Sequence, residues 1–219
     1  MGAAMDLFEA QGYEATSVKD ILTRAGANSG SLYHFFPGKE DILVAVLDRY
    51  VDLLWPAVIE PAFARTADPV ERVFAVLEGY RAMLIATGCR AGCPIGILAL
   101  EMSEKSEPVR ERCALNFENW RLAIRKALED AGDRLPADVD RDRLATFVLT
   151  TMEGGVMLAR TQRSLTPFEA AVSALRDYFE RLKAQAGRTE PVGGADDSAD
   201  RTAGRGAWPP GWAWQEPKG

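Results

Sequence analysis

The chain of 219 residues is predicted to be all-α, with an N-terminal three-helix unit built around a helix-turn-helix and a longer helical C-terminal domain. Three observations predict this class. Apolar residues recur at helical spacing, most clearly at Val70, Val73, Phe74, Leu77, Tyr80 and Leu84, the pattern of one buried helix face. Alternating strand runs and Asn-Gly hairpin signals are missing. Cap and stop residues divide the first quarter of the chain into short helical pieces.

Taken in order, residues 3–10 read as a helix stopped by Gly12. Thr16 and Ser17 offer caps for the next, and Asp20 stands three residues after Ser17 as a capping-box variant. That helix runs from Val18 to Ala25 and closes at Gly26. Asn28 and Ser29 cap another through Phe35, closed by Pro37 and Gly38, whose aromatic end is expected to be buried with Leu32. From Lys39 a longer helix carries Ile42, Leu43, Val46, Tyr50 and Leu53 on one face and is expected to end before Pro56. Pro56, Pro61 and Pro69 punctuate a connector. Helices are then expected over 70–86, 95–103, 109–131, 140–163 and 167–186. The break between helices 70–86 and 95–103 holds Gly88, Gly92 and Pro94 around Cys89 and Cys93. Helix 109–131 buries Val109, Cys113, Phe117, Trp120, Ile124 and Leu128. Phe168, Val172, Leu175, Phe179 and Leu182 step by 4, 3, 4, 3, a seam of coiled-coil type. From Gly187 onward, glycine and proline make up 11 of 33 residues and Val192 is the lone Ile, Leu, Val or Phe. A disordered tail is expected over 187–219, ending in Trp208, Trp212 and Trp214.

Composition excludes several functions. With 26 Lys and Arg against 32 Asp and Glu, the formal charge is −6, so DNA or an anionic membrane cannot be held by bulk charge. A single histidine rules out a His-Glu-x-x-His metal site, and Cys-x-x-Cys is absent as a replacement. Gly-x-Ser-x-Gly, Walker and Gly-x-Gly-x-x-Gly motifs are also absent. Neither an enzyme, a cofactor nor a metal is therefore expected. Three cysteines do not make a disulfide framework. Residues 1–9 lack a basic signal-peptide start, and no apolar run is long enough to span a bilayer. A cytoplasmic location without membrane contact is expected.

The sharpest signal is residues 16–36, TSVKDILTRAGANSGSLYHFF, two short helices around the tight turn Gly26-Ala27-Asn28. The second helix of such a unit can enter a major groove about 12 Å wide. Ser29, Gly30 and Ser31 at its start are small enough for close backbone approach, and hydroxyls and amides suit phosphates and base edges. Tyr33 and His34 follow on the exposed side, and Lys39 opens the next helix within reach of a phosphate.

Residues 8–46 resemble the TetR family of bacterial repressors. The residues that carry this are L-F-E-A-Q-G-Y-E-A-T-S-V, then I-L-T-R-A-G, then G-S-L-Y-H-F-F-P-G-K-E-D-I-L. The segment from Gly92 to Glu101, G-C-P-I-G-I-L-A-L-E, also resembles a subgroup linked to drug-resistance regulation. The resemblance implies a DNA-binding domain over 1–46 and a helical effector-binding and dimerisation domain over 47–186. By it, Thr16 and Ser17 cap the second helix and touch a phosphate. Ser29, Ser31 and His34 read bases or face the groove, and Tyr33 and Lys39 contact the DNA backbone. Family members carry more residues, some basic, ahead of this stretch, so the first helix is expected to be cut short. Residues 1–50 hold four Lys or Arg against seven Asp or Glu.

The resemblance also implies a double-stranded operator, a homodimer and a small-molecule effector. Two recognition helices must meet grooves about 34–36 Å apart, and the last two helices can supply the interface. Gly155, Phe168, Val172, Leu175, Phe179 and Leu182 are its candidate residues, with Gly154 and Gly155 allowing close approach; intrachain packing of the same seam is the alternative. Tyr80, Leu84, Phe117, Trp120, Phe147, Thr151 and Met152 are candidate linings of an effector pocket suited to a hydrophobic molecule, or simply core. Glu101 and Glu153 are candidates for selecting a cation, or face solvent. Two other readings stay open. One is a thiol-based redox sensor using Cys89, Cys93 and Cys113, with Arg90 lowering the Cys89 thiol. The other is a helical interaction protein without DNA binding.

Overall fold

Helices begin where side chains can satisfy their free amides. In the computed structural model, which describes residues 1–188, ten α-helices follow one another, and the described residues contain no strand. They are α1 (Gly2–Gln11), α2 (Val18–Ala25), α3 (Ser29–Phe35), α4 (Lys39–Leu53), α5 (Glu60–Phe63), α6 (Pro69–Ala86), α7 (Pro94–Met102), α8 (Glu107–Asp130), α9 (Arg141–Gln162) and α10 (Thr166–Ala186). The tail with Trp208, Trp212 and Trp214, from Thr189 onward, and the side chains of Ser29 and Ser31 lie outside the description.

The capping box at α2 forms as spaced: Ser17 Oγ accepts from the Asp20 amide at 3.1 Å, and Asp20 Oδ2 accepts from the Ser17 amide at 2.9 Å. Asp68 accepts from the amide of Val70, Ser106 from Val109, and Asp140 from Asp142 and Arg143. Each such cap contributes about 1 kcal/mol. Gly26, in the left-handed region at φ 61°, ends α2 and makes the turn into α3.

Pro56 does not end the helix that starts at Lys39. Residues Leu54–Ile59 continue it as a π-helical segment directly into α5. A wide turn accommodates the proline ring and the missing amide that would break a regular α-turn.

Three apolar clusters form the interior. The largest joins α6, α8, α9 and α10 through Phe74, Leu77, Leu84, Leu128, Met152, Phe168, Leu175 and Phe179. A second holds Leu54, Ile59 and Ala62 against Val76, Trp120 and Ala123. The third is shared across the chain: Phe8, Ile21, Ile42, Leu43, Val46 and Leu47 of the first four helices pack with Cys93, Ile95, Leu98, Met102, Val109 and Cys113 of α7 and α8. The three-helix unit thus sits on α7 and the start of α8.

The seam on α10 belongs to the first cluster, which corrects its assignment to a dimer interface. Phe168, Leu175, Phe179 and Leu182 are buried within the chain, and Val172 packs partly buried against them. Gly155 is buried too: a Cβ there would lie 3.0 Å from Phe168 Cδ2. Gly155 permits close approach of α9 and α10 inside one chain, not between two.

Candidate functional site

α3 presents three successive aromatic side chains to solvent. Tyr33 is 54% and Phe35 69% exposed, and His34, also exposed, meets Phe35 edge-on with ring centroids 5.1 Å apart. Leu32 and Phe36 hold the helix down, partly buried against the shared cluster. Gly30 is exposed, and a Cβ on it would meet only Asn28 Oδ1, at 3.8 Å. The expected burial of the aromatic end therefore applies to Phe36 and not to Phe35. Phe35 was not singled out by sequence because one apolar residue in a helix of seven has no periodicity to mark it as outward.

Two of the predicted phosphate contacts are engaged inside the chain. Thr16 is 1% exposed, and its hydroxyl donates to the Gly12 carbonyl at 2.7 Å, so it cannot touch DNA. Ser17 alone caps α2 and stays exposed. Lys39 donates to the carbonyls of Tyr13 at 2.9 Å and Thr16 at 3.0 Å, and its ammonium lies 3.9 Å from the centre of the Tyr13 ring. Its charge braces the loop between α1 and α2.

Glu101 of α7 holds the same loop. Its carboxylate accepts from the amides of Tyr13 at 2.8 Å and Glu14 at 2.7 Å. Gly12, at φ 82°, makes this grip feasible, since a Cβ there would lie 2.8 Å from Glu101 Oε2. Only glycine combines that left-handed backbone with that approach. Around it, Lys105 pairs with Glu14 at 2.8 Å, Ser106 donates to Glu40 at 2.7 Å, Arg112 pairs with Asp48 at 2.9 Å, and Asn116 donates to the Leu47 carbonyl at 3.0 Å. Lys105 lowers the Glu14 carboxyl below its ordinary range by its hydrogen bond. Glu101 is thus a tie between α7 and the three-helix unit, which corrects its assignment to cation selection.

Behind α7 lies a cavity of about 750 Å³ between α7, α8 and α9. Ile97, Leu100, Phe117, Leu149, Val156 and Met157 give it apolar walls, and Thr150, Glu153, Arg160 and Thr161 add polar groups. Burial holds the Glu153 carboxyl above its ordinary range, and the Cys93 thiol donates to it. The hydroxyl of Tyr80 in turn donates toward Cys93. Glu153 Oε1 is buried without a hydrogen-bond partner. Gly96 leaves room for this carboxylate; a Cβ there would lie 2.9 Å from Glu153 Oε2.

Of the predicted pocket residues, Phe117 lines this cavity. Tyr80 lines a second one, about 510 Å³, on the other side of the Gly92-Cys93-Pro94 segment. Leu84 and Met152 are fully buried core, and Trp120 packs with Leu54 and Ile59 and on the Tyr80 ring. Phe147 faces outward, 48% exposed and edge-on to Tyr178. Thr151, half-buried, donates to the Phe147 carbonyl. These five sit away from the cavity wall, the three on α9 because that helix is rotated so that residues 149, 153, 156 and 160 face it. The residues missed, Ile97, Leu100, Leu149 and Val156, carry the same apolar character as core.

Residues 1–46 match the model of bacterial regulatory proteins of the tetR family, and residues 69–174 match that of the LmrA/YxaF-like transcriptional regulator C-terminal domain. The HTH-type transcriptional regulator LmrA of Bacillus subtilis is 32% identical over 183 residues, covering 83% of this chain and 95% of the relative. The regulator YxaF of the same organism is 33% identical over 165 residues, covering 75% and 84%. The crystal structure of regulatory protein TetR from Rhodobacter sphaeroides shares the fold, with a TM-score of 0.71 at 24% identity over 83% of this chain and 95% of that one. A helix-turn-helix with its aromatic helix outward, seated on an all-helical C-terminal domain of LmrA/YxaF type, places the chain in the TetR family of DNA-binding transcriptional regulators, not among enzymes.

Proposed function

We propose that this protein is a dimeric repressor that leaves a palindromic operator when a small effector occupies the cavity behind α7. Residues 1–46 are the reading head and 47–186 the effector and dimer domain. The observation that carries the reading is the Glu101 tie: one short helix lines the cavity with Ile97 and Leu100 and grips the Tyr13–Glu14 amides of the head. A ligand that displaces α7 must strain or release that grip, so two arrangements of the head can differ in their affinity for it. Tyr33, His34, Phe35 and Gly30, with Ser29, Ser31 and Ser17, supply the DNA contacts.

The dimer forms through the outward face of the last two helices. Phe147, Gly154 and Leu158 fall on one α9 stripe at helical spacing, flanked by Met157 where the stripe borders the cavity, and Tyr178 of α10 adds to it. Phe147, Met157, Leu158 and Tyr178 are each exposed by 42% or more, an apolar area suited to an isologous bundle. The redox-sensor reading lacks support. All three cysteines are buried, and burial pushes the Cys93 thiol far up and that of Cys113 to about 11. A thiol kept protonated is a poor nucleophile. The interaction-protein reading leaves the exposed α3 aromatics without a task.

The test is selection from a random duplex library with the whole chain, followed by titration of the selected site with wild type and Glu101→Gln. A two-fold symmetric site is expected, bound about tenfold more weakly by the variant as two charge-assisted hydrogen bonds are lost. Failure to enrich a site, or equal binding by both proteins, overturns the proposal.

A further inference from the structure

We propose that the cavity between α7, α8 and α9 is a receptor for a hydrophobic amine, an aromatic or aliphatic body carrying one protonated nitrogen that docks on Glu153. This deepens the effector reading above and rests on it for regulation, though not for binding.

Glu153 is poorly provided for by its own chain. Among the described residues its hydrogen-bond donor is the single thiol proton of Cys93, and Oε1 is buried with no partner there. Gly96, which faces it across the cavity wall, offers no side chain. A buried carboxylate left half-satisfied is costly, and removing it from water is offset only by an opposite charge or further donors. An ammonium supplies both. The walls around it, Ile97, Phe117, Leu149 and Val156, suit an apolar body, and the volume is that of ordinary small-molecule sites. Phe117 adds an aromatic ring to the lining.

The two cations on the wall do not neutralise Glu153. Arg163 donates to the Cys89 carbonyl at 2.9 Å. Arg160 rests its side chain against Gly92, and among the described residues Glu153 has its hydrogen bond from Cys93 and none from an arginine.

The experiment is calorimetric titration of the whole protein at neutral pH with naphthylethylamine, naphthylethanol and naphthylacetate, which share one apolar body. The amine is expected to bind at least about tenfold more tightly than the alcohol, the difference of a charged over a neutral hydrogen bond, and the acid most weakly. Glu153→Gln is expected to bring amine and alcohol within about threefold of each other while alcohol binding holds. Gly96→Ala, which displaces the carboxylate by steric contact, is the second variant and is expected to weaken the amine selectively. An amine no tighter than the alcohol, a preference for the acid, a preference that survives Glu153→Gln, or no binding of any probe overturns the proposal. Amine binding that leaves operator affinity unchanged upholds this site and overturns the effector response instead.

Discussion

Lys39 and Glu101 hold the same loop by opposite chemistry, one through its carbonyls and the other through its amides. Thr16 completes the arrangement from inside, with its hydroxyl on the Gly12 carbonyl. Thr16→Val should destabilise the protein by about 1–2 kcal/mol, the cost of an unsatisfied buried acceptor. It should leave the salt dependence of operator binding unchanged, because no phosphate contact is lost; thermal unfolding and a salt titration check the two parts. Glu153 acts in the other direction. Its folded carboxyl holds a proton more tightly than the ordinary value of 4.5. Folding therefore takes up a proton there, and the stability tied to it is complete below the unfolded value and lost as pH rises through the folded one. Glu153→Gln should raise the melting temperature at pH 7, by a few degrees for a gain of about 1 kcal/mol. The gain should disappear below about pH 4.5. A variant less stable than wild type at pH 7 would contradict the burial argument.

At the scale of elements, α9 and α10 each carry two apolar faces with different tasks. The inner faces meet in the core: Phe179→Ala should cost about 3–5 kcal/mol of folding stability. Gly155→Ala, which brings a Cβ to 3.0 Å from Phe168 Cδ2, should cost about 1–3 kcal/mol by overpacking. Denaturant unfolding reads both. The outer faces carry Phe147 and Tyr178, whose rings meet edge to face. Phe147→Glu should leave the chain folded and halve its mass in sedimentation equilibrium, by desolvating a charge at the interface. A dimer that persists would move the interface elsewhere.

For the whole molecule, the three-helix unit and α7 share one apolar cluster and one set of polar ties, so a shift of α7 is carried to the loop between α1 and α2. Lys39→Met and Glu101→Gln release the same loop. Each should weaken operator binding about tenfold, and the double variant should lose much less than the product, since coupled contacts do not add. Fluorescence anisotropy with the selected duplex measures the cycle. Full additivity would show the two ties to be independent.

The sequence alone determined most of the helices and the caps at Ser17 and Gly26, because these depend on neighbours a few residues away. Ser17 with Asp20, Gly26 and the outward Tyr33 and His34 are local features. It misjudged Pro56, whose effect depended on whether a wider turn was available. Only the tertiary structure decided which apolar stripe meets which neighbour. Core, cavity wall and exposed apolar face look alike in sequence, since each is a run of apolar residues at helical spacing. The rotation of α9 put Leu149, Glu153 and Val156 at the cavity, Met152 and Gly155 in the core and Phe147 outside. Glu101 was legible as an oddity on an apolar helix, but its partners lie 87 and 88 residues away in the chain. A contact over that separation is created by folding and has no local signal.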